Sequence, residues 1–64
     1  MDIDILLQNL AKPAQRAIRN EGITTIEQLS KYSEKEFSEL HGIGKNAMSI
    51  IKQTMSENGL AFFQ

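Results

Sequence analysis

The chain is 64 residues long, lacks cysteine and tryptophan, and sets 7 Lys and Arg against 8 Asp and Glu for a net charge of −1. That length fits one domain, residues 1–64, whose thin core buries only roughly 60% of the unfolded surface and leaves little room for a deep catalytic pocket. The missing cysteines exclude a disulfide framework and a thiolate zinc site, and a hydrophobic fraction of 41% argues for a globular domain rather than disorder.

Taken in chain order, the pattern is helical throughout, since glycine and proline fall between periodic segments and nothing alternates with period two. The N-terminus, Met1-Asp2-Ile3-Asp4, is acidic and does not resemble a secretory signal. Residues Asp2 to Leu10 offer Ile3, Leu6, Leu7 and Leu10 at helical spacing, with Asp2 or Asp4 favouring the positive end of a helix dipole. A break follows at Ala11-Lys12. Pro13 suits the first turn of a second helix, where its missing N–H costs nothing. That helix turns Ala14, Ala17 and Ile18 inward and stops at Gly22. Thr24-Thr25-Ile26-Glu27 predicts a capping box opening a short third helix that buries Ile26 and Leu29. Ser33-Glu34-Lys35-Glu36 predicts another opening the fourth, with Tyr32 and Phe37 placed as a hydrophobic staple. The fourth helix ends near Leu40, and residues 41–44 form a tight turn. The longest helix runs from Lys45 to about Asn58, with Ala47, Met48, Ile51 and Met55 on one stripe and Gly59 closing it. Leu60 and Phe62 are expected to pack back on the core.

A weak internal repeat at an offset of thirty pairs Leu7 with Phe37, Leu10 with Leu40, Ala17 with Ala47 and Ile18 with Met48. Duplication and the shared pattern of any two helix–turn–helix pairs both account for it.

The run Leu40-His41-Gly42-Ile43-Gly44-Lys45-Asn46-Ala47 is where chemistry can be located. Gly42 and Gly44 permit positive φ and close approach by another backbone. Ile43 between them can plug into the core. The first N–H groups of the following helix have no partner within it, and with the helix dipole they suit an anion, to which Lys45 adds a positive charge. Such a site recognises phosphate rather than base sequence. The plain alternative is that both glycines serve only to join two helices. A near-neutral chain with an isoelectric point near 5.7 counts against strong nucleic-acid binding, yet Lys12, Arg16, Arg19, Lys45 and Lys52 can gather on one side while Glu34, Glu36 and Glu39 form a solvated face elsewhere.

Leu40-His41-Gly42-Ile43-Gly44-Lys45 resembles a helix-hairpin-helix motif. From about Leu10 to Leu60 the chain also resembles the C-terminal domain of the bacterial RNA polymerase alpha subunit. Leu10, Ala17-Ile18, Glu21-Gly22-Ile23, Thr25-Ile26-Glu27-Gln28-Leu29, Ser33-Glu34, Gly44-Lys45 and Asn58-Gly59-Leu60 carry that likeness. The resemblance implies an all-α fold, a compact, SAM-like bundle of about five short helices. It also implies binding across the minor groove of AT-rich duplex DNA and contacts with transcription factors. Where the family has an arginine that enters the minor groove this chain has Pro13. Where it has a DNA-contacting asparagine the chain has Arg16, and a backbone-contacting lysine and serine are replaced by Asn46 and Ala47. Binding largely independent of sequence is therefore expected, with Gly42, Ile43, Gly44, Lys45 and Asn46 on one strand and Lys12, Arg16 and Arg19 reaching the other strand or the groove. A free-standing, monomeric, cytoplasmic bacterial domain is expected, related to transcription and not associated with membranes.

The alternative is a protein-interaction domain that keeps the scaffold and has lost DNA, through Phe63 or the acidic face around Glu36; the acidic balance, Pro13 and Ala47 favour it. Catalysis, a cofactor and a metal are not expected. His41 is the lone histidine, read as a surface or capping residue or as a phosphate contact, and the serines have no base partner.

Overall fold

Helix boundaries in the computed structural model, which describes residues 1–63, follow the punctuation of the chain. Helix α1 spans Asp4–Leu7, α2 Lys12–Asn20, a 3-10 helix Ile26–Lys31, α3 Glu34–Ser38 and α4 Lys45–Glu57. The described residues are thus mostly helical and hold no strand, only two isolated bridges. Among them no helix is long and apolar enough to cross a membrane. The molecule measures 25 × 22 × 21 Å.

The first helix is shorter than its periodicity suggests. Asp2 bridges Thr25 antiparallel. The Ile3 N–H donates to the Thr24 carbonyl at 3.1 Å, and the Ile26 N–H donates to the Met1 carbonyl at 2.9 Å. This pairing also moves the start of the 3-10 helix. Both Thr24…Glu27 and Thr25…Gln28 fit the capping-box spacing. With the Thr24 carbonyl accepting from Ile3 and Thr25 paired with Asp2, Thr25 is the N-cap, and Gln28 Oε1 accepts from the N–H groups of Thr24 at 2.6 Å and Thr25 at 3.0 Å. Glu27 instead accepts from the Met1 ammonium at 2.7 Å, which holds its carboxyl below the usual range.

Helix α3 starts as its sequence dictates. Ser33 Oγ accepts from the Glu36 N–H at 3.0 Å and Glu36 Oε1 from the Ser33 N–H at 3.1 Å. Tyr32 meets Phe37 edge to face, with ring centroids 5.4 Å apart. Phe37 is fully buried and also packs on Phe62, at 5.5 Å. Around it lie Leu6, Ile18, Ile26, Leu29, Ile51 and Met55, and no polar side chain is buried among the described residues. Ile3, Leu6, Leu7 and Leu10 are all buried although only two of them lie in α1; α1 packs against α4.

The backbone recurs at an offset other than thirty. The N-caps of α2 and α4 are Ala11 and Gly44, thirty-three residues apart. In that register Leu7 matches Leu40, Leu10 matches Ile43, Lys12 matches Lys45, Ala14 matches Ala47 and Ile18 matches Ile51. The bonds recur as well. Leu10 N–H donates to the Leu7 carbonyl at 2.9 Å, and Ile43 N–H to the Leu40 carbonyl at 3.0 Å. Gln15 N–H donates to the Ala11 carbonyl at 3.1 Å, and Met48 N–H to the Gly44 carbonyl at 2.9 Å. The offset of thirty aligns apolar residues but slips the two helix starts by three positions.

Candidate nucleic-acid interface

The turn between α3 and α4 is held by its apolar plug and by one close backbone contact. Ile43 is buried. Gly42 has φ +98° and lies against the N-terminal turn of α2: a Cβ at this position would stand 2.5 Å from the Pro13 carbonyl oxygen and 3.6 Å from the Ala17 Cβ. Positive φ and close approach thus both occur at Gly42, and neither at Gly44. Gly44 is the N-cap of α4 in extended backbone, φ −102°, and a Cβ there would meet nothing within 4 Å. The expectation of a left-handed Gly44 is corrected: an N-cap takes β-region angles that any residue reaches.

What Gly44 does contribute is the absence of a capping side chain. Helix α4 has no side-chain cap, and the N–H groups of Gly44, Lys45, Asn46 and Ala47 have no acceptor among the described residues. The Ile43 N–H is not one of these free donors, because the Leu40 carbonyl accepts it. The second uncapped start is that of α2. There the N–H groups of Ala11, Lys12 and Ala14 have no acceptor among the described residues, and Pro13 has no N–H to offer. The starts of α1, the 3-10 helix and α3 each have a side chain accepting backbone N–H groups: Asp2, Gln28 and Ser33 respectively. Gly42, two residues before the start of α4, thus lies against the first turn of α2, the other uncapped start. The amides of Ala11 and Ala14 escaped the sequence reading. The register of thirty-three equates Ala11-Lys12-Pro13-Ala14 with Gly44-Lys45-Asn46-Ala47, but the sequence pattern alone does not choose it over thirty.

The cations divide. Lys12, Arg16 and Lys45 are exposed and make no ion pair among the described residues. Arg16 lies one turn along α2 and about 60° round the helix from Pro13, on the flank next to the Gly42 contact. Arg19 sits near the other end of α2, its guanidinium 4.0 Å from Asp4, in a cleft lined also by Asp2 and Thr24. It is thus removed from the paired helix starts. Lys52 pairs with Glu34 at 3.2 Å, so the acidic residues of α3 are not confined to a separate face. Asn46 and His41 are exposed. A groove of about 700 Å3 between α3 and α4 is lined by Glu34, Gly44, Lys45, Ser49 and Lys52.

Phe63 is the most exposed large apolar side chain, at 63%. Its backbone is nonetheless fixed, because its N–H donates to the Tyr32 carbonyl at 2.8 Å in a parallel bridge with Ser33. Extended geometry then turns Phe62 into the core and Phe63 outward. Comparison of the chain with family models, curated proteins and solved structures finds no match.

Proposed function

We propose that this domain binds duplex DNA weakly and with little regard to sequence, gripping phosphates through the turn Gly42-Ile43-Gly44-Lys45. The observation that carries the reading is the pair of uncapped helix starts joined at Gly42 and Pro13. Free N–H groups and the positive ends of two helix dipoles suit phosphate oxygens, and backbone donors cannot read base sequence. Lys45 and Asn46 serve one strand. Lys12 and Arg16 flank the second start and serve the other, or the groove between. Arg19, turned toward Asp4, contributes long-range potential at most. We read the two helices and the turn between them as a helix-hairpin-helix, in line with the resemblance to the alpha-subunit domain, and infer a role in transcription.

An NMR titration of the labelled chain with a short AT-rich duplex, at low and then physiological salt, tests this. Shifts at Gly44–Ala47 and Ala11–Arg16 that fade with salt are expected. A spectrum unmoved at low salt overturns the reading. A second reading, docking of a protein partner, is favoured by Phe63, an aromatic ring held in solvent by a fixed backbone. Shifts at Phe63 with a partner and none with DNA would select it.

A further inference from the structure

We propose that Glu34 restrains DNA binding by holding Lys52 out of the phosphate path. The inference rests on the reading of the α4 start as a phosphate site. Lys45, Ser49 and Lys52 are spaced i, i+4 and i+7 on α4, so they form one stripe on its surface, and all three line the groove that begins at Gly44. A strand whose phosphates meet the free amides of α4 and then follow this groove reaches Lys52 next. Across the groove, Glu34 Oε1 stands 3.2 Å from Lys52 Nζ. The carboxylate therefore acts twice: it occupies the ammonium, and it adds a negative charge where a phosphate would pass. Both side chains are about half exposed, 51% for Lys52 and 56% for Glu34, so the pair is weak and exchangeable. Phosphate thus competes with Glu34 for Lys52, and the pair sets affinity without blocking the groove. Glu34 is not needed to start α3, whose cap is made by Ser33 and Glu36.

The test compares wild type, Glu34→Gln and the double variant Glu34→Gln/Lys52→Gln, as full chains, by fluorescence anisotropy with a short AT-rich duplex over a salt series. Each additional phosphate neutralised steepens the dependence of log affinity on log salt by about 0.9. Glu34→Gln is expected to steepen that slope by about one unit and to tighten binding about tenfold at low salt. The double variant is expected to return to the wild-type slope. Unchanged thermal unfolding midpoints establish that the variants are folded. A wild type that binds, with a slope unmoved by Glu34→Gln or still steep in the double variant, overturns the role of Glu34 alone. No binding by any of the three chains overturns the phosphate site with it.

Discussion

At the scale of single residues, the two glycines of the turn do different work, and substitutions separate them. Gly42→Ala forces a left-handed alanine against the Pro13 carbonyl and is expected to cost about 2–4 kcal/mol of stability, read from the denaturant midpoint. Gly44→Asp meets neither obstacle. Aspartate is a good N-cap, so the variant is expected to be as stable as wild type or about 0.5–1 kcal/mol more stable. It nonetheless loses duplex binding, because its carboxylate occupies the free amides of α4; retained affinity in the folded variant would refute the phosphate site. Tyr32 gives a pH dependence. Burial, and then the hydrogen bond its hydroxyl donates to Glu21 Oε1 at 3.1 Å, raise its pKa above the ordinary 10.0. The unfolded chain therefore loses this proton first. The contribution is fully present below about pH 10 and is lost as pH rises through the folded value. Tyr32→Phe is expected to flatten that alkaline decline in unfolding free energy.

At the scale of elements, local sequence decided helix starts wherever one cap was in reach, and neighbours decided them wherever two were. Ser33 and Glu36 close α3 reciprocally, and the same residues are the only capping box available there. Ser33→Ala is expected to cost about 1 kcal/mol, measurable by thermal unfolding. Thr24 and Thr25 offered two registers, and the choice fell to the Asp2–Thr25 bridge, formed with residues more than twenty positions away. In the same way periodicity identified Ile3, Leu6, Leu7 and Leu10 as one buried set but not where α1 ends. The i, i+3, i+4 spacing of apolar residues is the same in a helix and in a helix that leaves by a tight turn. The repeat was visible as a pattern, whereas its register needed the hydrogen bonds of the two turns, since two amphipathic helices align their apolar residues in more than one register.

At the scale of the whole molecule, a near-neutral chain leaves two helix starts uncapped, with Gly42 against Pro13 between them, and the cations Lys12, Arg16 and Lys45 exposed and outside any ion pair among the described residues. Lys45→Ala is expected to weaken duplex binding for all sequences and to reduce the salt slope by about one unit, as read by anisotropy over a salt series. Arg16→Ala is expected to act alike, and Arg19→Ala, at the Asp4 end of α2, to leave the slope within error of wild type. The sequence by itself determined the helical class, the buried face of each helix, the cap of α3 and the turn carrying Gly42 and Gly44. Those follow from periodicity, side-chain hydrogen-bonding capacity and backbone freedom, which act over a few residues. Only the tertiary structure decided that Gly42 lies on Pro13 in the first turn of α2, that Arg19 turns toward Asp4, and that Glu34 reaches Lys52. Each of these joins residues far apart in the chain, and their meeting depends on how the helices pack about Phe37 rather than on any local preference.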